Sequence, residues 1–109
     1  MITEINQKQA SLSKLCSHYR VRQLQLFGSA ATGAFVPATS DLDFIPEFAD
    51  TQAADYADRY LDFAEALEKL FNRPVDLLTQ RAIRNKYFRA EVERTAQVIY
   101  EDTNLKTIA

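Results

Sequence analysis

Three aspartates and a glycine-serine pair carry the chemistry this sequence offers. Asp41 and Asp43 stand one residue apart in "SDLDF", Asp76 follows in "PVDLL", and Gly28 and Ser29 precede them in "FGSAATGAFVPATSDLDF", a stretch that holds both glycines of the chain. Carboxylates gathered in one place repel one another unless a cation lies between them, and hard oxygen donors of this kind suit Mg²⁺. Gly28 lets the backbone approach a ligand closely, and Ser29 opens a segment whose amides and hydroxyl can hold a phosphate. A divalent ion bound by a few carboxylates and completed by phosphate oxygens and water is the standard arrangement for moving a phosphoryl or nucleotidyl group. Singly, each feature has a plain structural explanation: a strand-ending turn at Gly28, solvated strand positions at Asp41, Asp43 and Asp76. The joint pattern is what points to a site.

These residues need elements to position them. From Thr3 to Tyr19 the apolar positions Ile5, Leu12, Leu15, Cys16 and Tyr19 fit a one-faced helix with no glycine or proline to break it. "VRQLQLF" then alternates from Arg22 to Leu26 and reads as a strand ending at Gly28, after which Gly28 and Gly33 bracket a turn. In "DLDFIPEF" the apolar residues Leu42, Phe44, Pro46 and Phe48 recur at every second position, so a strand here turns Asp41 and Asp43 to the opposite face. Pro46 donates no ladder bond and belongs at an edge, a bulge or the strand's end. Asp50 or Thr51 caps a helix with the stripe Ala57, Tyr60, Leu61, Ala64, Leu67 and Phe71, and Asn72 before Pro74 stops it. "PVDLLT" reads as a further short strand carrying Asp76, and a last helix from about Ala82 to Tyr100 turns Phe88, Val92, Ala96 and Ile99 inward. The expected architecture is a single α+β domain over residues 1–109: a small mixed or antiparallel sheet with helices packed on one face and the aspartates on the other.

Composition narrows the partners. Thirteen basic residues against fifteen acidic ones, a net charge of -2, give no general field that attracts a polyanion, so no direct nucleic-acid contact is expected. Arg81, Arg84, Lys86 and Arg89 form the densest basic cluster, and at helical spacing they read as a solvated face. No apolar run approaches the roughly 20 residues of a membrane span, and "MITEINQKQA" has no leader-like character, which predicts a cytoplasmic protein without membrane contact. The one cysteine, Cys16, reads as a small core residue, and the one histidine, His18, as a surface helix end.

"GS" followed by "DLD", with a third aspartate in a strand after the next helix, resembles the minimal nucleotidyltransferases of the DNA polymerase beta superfamily. The resemblance runs from "LQLFGS" through "SDLDF" and "RPVDLLT" to "AQVIYED". It implies that Gly28 and Ser29 hold the triphosphate of ATP, that Asp41 and Asp43 bind two Mg²⁺ ions, and that Asp76 completes the metal site and assists the attacking hydroxyl. Many short members are antitoxins paired with a HEPN-domain ribonuclease toxin, and some transfer AMP to a tyrosine of that toxin. The resemblance therefore implies either an Mg²⁺-dependent protein adenylyltransferase or an antitoxin that neutralises its toxin by binding with little catalysis. This chain departs from the family pattern after the Gly-Ser pair, where Ala30, Ala31 and Thr32 stand in a region that often carries arginine.

Overall fold

The computed structural model describes residues 3–28, 42–78 and 85–102. Within them the alternating segments become strands β1 (Val21–Phe27) and β2 (Leu42–Phe48), which pair antiparallel with Leu26 opposite Phe44 and Phe27 opposite Asp43. The short strand β3 (Val75–Leu77) lies parallel to β2, and β4 (Gln97–Glu101) lies antiparallel to β1, giving the sheet order β3-β2-β1-β4.

Helices α1 (Thr3–Gln7), α2 (Gln9–His18) and α3 (Tyr56–Phe71) belong to the layer that buries one face of the sheet. Ile5, Leu12, Cys16, Phe63, Leu67 and Phe71 meet Leu24, Leu26, Leu42, Phe44 and Ile99 there. Each large apolar side chain withdrawn from water in this way contributes about 1.5–3 kcal/mol, and this core is the main support of the fold. The single N-terminal helix expected from Thr3 to Tyr19 is interrupted at Lys8, whose ammonium reaches back to the carbonyl of Leu70.

Helix α3 starts later than its sequence signals suggest. Asp50 takes a left-handed conformation (φ 51°) instead of capping, and Asp55 occupies the cap position while its carboxylate binds Arg20 and Arg59. The buried stripe is also rotated: Leu61 is 64% exposed, whereas Phe63 and the guanidinium-bearing Arg59 face inward. Arg59 is buried because its fork meets a ready set of acceptors. It donates to the carbonyls of Tyr19 (3.2 Å), Ala49 (3.0 Å) and Asp50 (2.7 Å), tying α2, the end of β2 and α3 together. At its other end α3 stops where expected, with Asn72 left-handed (φ 53°) just before Pro74.

The expected last helix divides in two. Helix α4 (Lys86–Thr95) begins at Asn85, whose side chain accepts from the amides of Tyr87 and Phe88. It ends where Thr95 hydrogen-bonds the carbonyl of Glu91 and Ala96 turns extended, after which Val98, Ile99 and Tyr100 continue as β4. The helical spacing of Phe88, Val92, Ala96 and Ile99 thus spans a change of element. Ile99 joins the main core, but Val92 packs against Phe27 and Ile45 on the other side of the sheet.

Pro46 lies on β2 beyond the reach of β3. Leu42 and Leu78 bridge the two strands by donating to the carbonyls of Pro74 and Phe44, so even-numbered positions of β2 direct their backbone groups toward β3. By the same alternation position 46 faces that side, where β3 pairs only with Leu42, Asp43 and Phe44. A residue without an N–H suits it.

Candidate active site

Strand alternation decides where the carboxylates go. Leu42 and Phe44 are fully buried in the main core, so Asp43 between them points to the opposite face, where it is half-buried. Asp76 occupies the middle of β3 and is the register partner of Asp43. Register partners in parallel strands share a face and sit about 4.8 Å apart along the ladder. The two carboxylates therefore stand side by side, within reach of a shared cation, at the end of the apolar strip formed by Phe27, Ile45 and Val92.

Gly28 completes this row from β1. Its φ of +72° is a backbone conformation that side chains oppose, and a Cβ built there would come within 3.0 Å of the Asp43 carboxylate oxygen Oδ2. Glycine is required twice over, by the turn and by the closeness of the acid. Of the residues singled out from the sequence, the structure brings together Gly28, Asp43 and Asp76; Ser29 and Asp41 lie outside the described residues, as do Gly33, Arg81 and Arg84. Among the described residues no three His, Cys, Asp or Glu side chains form a metal cage. The donor set in view is two carboxylates, which are hard oxygen ligands.

The strand bearing Asp76 is held from its outer side by α3. Tyr60 donates its hydroxyl proton to the carbonyl of Leu77 at 2.7 Å, and the carboxylate of Glu68 accepts from the amide of Val75 at 3.2 Å. Tyr60 entered the sequence reading only as a core residue. The available signal was a tyrosine on an otherwise apolar stripe, a residue whose hydroxyl needs a partner when buried. Glu68 gave no such signal.

The remaining singled-out residues fall elsewhere. Cys16 is fully buried, and burial pushes its thiol up to about 12, so it is a packing residue as expected. His18 is exposed in the last turn of α2, edge-on to Tyr19, and Lys86 and Arg89 lie on the exposed surface of α4. Tyr100 is half-buried against the main core.

Residues 9–99 match the model of the nucleotidyltransferase domain family, and the chain belongs to that family. A protein of Methanocaldococcus jannaschii bearing the name "putative protein adenylyltransferase" is 35% identical over 92 residues, covering 84% of this chain and 88% of the relative. A solved structure described as a "putative minimal nucleotidyltransferase" superposes with a TM-score of 0.67 at 25% identity, covering 84% of this chain and 89% of that one. A complex of a tri-AMPylated HEPN toxin of Shewanella oneidensis with its MNT antitoxin also matches, with a TM-score of 0.60 and 17% identity over 95% of this chain and 78% of that one. At that identity the likeness is one of fold. The protein is thus a nucleotidyltransferase, of the minimal kind in its architecture.

Proposed function

We propose that this protein is a protein adenylyltransferase that moves AMP from ATP to a hydroxyl, a tyrosine, of a HEPN-domain ribonuclease toxin, and so acts as the toxin's antitoxin. The observation that carries the reading is the register pairing of Asp43 with Asp76 beside Gly28. The name of the archaeal relative and the AMPylated partner in the Shewanella complex support the choice of AMP and of a protein acceptor.

In this reading Gly28 and Ser29 receive the triphosphate, and Asp41, Asp43 and Asp76 hold two Mg²⁺ ions. Bound Mg²⁺ neutralises the charge that gathers on the phosphate oxygens during transfer. The acceptor oxygen attacks the α-phosphorus, the bond to the bridging oxygen breaks, and pyrophosphate leaves. Asp76, exposed at the middle of β3, takes the proton of the attacking hydroxyl at its carboxylate. Asp43 and Asp41 keep the triphosphate oriented on the Gly28 turn. The apolar strip of Phe27, Ile45 and Val92 lies on the same face of the sheet as Asp43, with Phe27 its partner across β1 and β2.

Incubating the protein with Mg²⁺, labelled ATP and the product of an adjacent toxin gene, followed by intact mass of both chains, tests the reading. AMP increments on the toxin are expected. Label that reaches neither protein would defeat it.

A further inference from the structure

Strand β3 has three residues and lies at the edge of the sheet, with β2 as its neighbour on one side. So short an element is weakly held, yet it carries one of the two carboxylates whose separation defines the site. Its backbone groups alternate in direction. Pro74 and Leu78 bond toward β2, through the carbonyl of Pro74 accepting from Leu42 and the amide of Leu78 donating to Phe44. Val75 and Leu77 therefore turn their backbone groups outward.

One outward group of each residue meets a side chain of α3. The Val75 amide donates to Glu68 at 3.2 Å and the Leu77 carbonyl accepts from the Tyr60 hydroxyl at 2.7 Å, one bond on each side of Asp76. Among the described residues, helix α3 supplies a hydrogen-bond partner at each of the two positions that flank the acid. Tyr60 is itself fixed, tilted against the ring of Phe48 with centroids 6.0 Å apart.

We propose that Tyr60 and Glu68 are positioning residues for Asp76: their two hydrogen bonds clamp β3 and set the distance of the Asp76 carboxylate from Asp43. The proposal rests on the transferase reading above for its role in catalysis, but not for its geometry. Losing either bond lets β3 shift along or away from β2, and a carboxylate displaced by a fraction of an ångström binds a cation less well and meets the attacking hydroxyl less often. In the transferase reading the triphosphate leans on Gly28, just after β1, and on Asp43 in β2, which these bonds do not touch.

The test uses Tyr60→Phe, Glu68→Ala and Glu68→Gln in the full chain. Glutamine keeps an acceptor oxygen, so it serves as the conservative rescue. Mn²⁺ affinity, measured by paramagnetic resonance with a non-hydrolysable ATP analogue bound and scaled to the folded fraction, is expected to fall about tenfold in Tyr60→Phe and Glu68→Ala and to stay near wild type in Glu68→Gln. Hydrogen exchange at the Leu78 amide should quicken roughly tenfold in Tyr60→Phe, the equivalent of one intramolecular hydrogen bond. In the AMP-transfer assay kcat should fall while the KM for ATP stays within about twofold. Unchanged Mn²⁺ affinity per folded molecule in Tyr60→Phe overturns the proposal, even if the melting temperature drops. Weaker Mn²⁺ binding in Tyr60→Phe with a wild type that transfers no AMP supports the clamp and removes the transferase reading. If Glu68→Gln is as defective as Glu68→Ala, the assignment of Glu68 is lost.

Discussion

Asp43 and Asp76 are opposite one another across the parallel pair of β2 and β3, though a whole helix separates them in sequence. Two like charges held at ladder spacing are a cost to the folded state in the absence of a cation and an attraction once one is present.

Asp43→Asn removes one of the pair without changing shape. Transfer of AMP should fall by at least about a thousandfold, in line with losing a metal ligand or a principal electrostatic group at such a site. The melt without Mg²⁺ should be at the wild-type temperature or above it, since repulsion is relieved. Retention of full activity would remove Asp43 from the metal site.

Asp76→Asn separates transfer from binding. Nucleotide affinity, read by calorimetry with a non-hydrolysable ATP analogue, should stay within a few-fold of wild type while transfer is lost. In cells co-expressing the toxin this variant should fail to protect. Growth at the wild-type level with no mass increase on the toxin would show neutralisation by binding instead.

Gly28→Ala places a methyl group 3.0 Å from the Asp43 carboxylate and forces alanine to a φ of +72°. The left-handed conformation alone costs about 1–2 kcal/mol, which chemical denaturation should register. Affinity for the ATP analogue should drop about tenfold or more, because Asp43 and the turn are pushed apart. Equal affinity in the variant would make the turn structural only.

Arg59→Lys tests the buried fork. An ammonium cannot reach the carbonyls of Tyr19, Ala49 and Asp50 and the Asp55 carboxylate together, so part-buried acceptors lose their donor. Stability should fall by about 2–4 kcal/mol in urea denaturation, with nucleotide affinity per folded molecule unchanged. A loss under about 0.5 kcal/mol would show that water replaces the guanidinium at no cost.

Much of this was legible in the sequence because strands announce themselves by alternation. "VRQLQLF", "LDFIPEF" and "VDL" all form the strands expected of them, and the placement of Asp43 away from the core follows from Leu42 and Phe44 alone. Helical periodicity was less informative. Ala57 and Leu61 are apolar yet exposed, while Arg59 is charged yet buried, because its acceptors come from loops that no local pattern reveals. Phe88, Val92, Ala96 and Ile99 keep a helical rhythm across a boundary that is set by pairing with β1, a long-range event. The clamp on β3 was invisible for the same reason: Tyr60 and Glu68 acquire their meaning from a strand that follows them in the chain.

Pro46 has a consequence for how copies of this protein behave toward one another. A sheet grows between molecules when an edge offers an unbroken row of amides and carbonyls to an incoming strand. Along β2 that row would begin where β3 ends, and its first outward position after Phe44 is occupied by a residue with nothing to donate. A foreign strand seeking to extend β3's line would find no amide to pair with at Pro46, a residue that is itself buried.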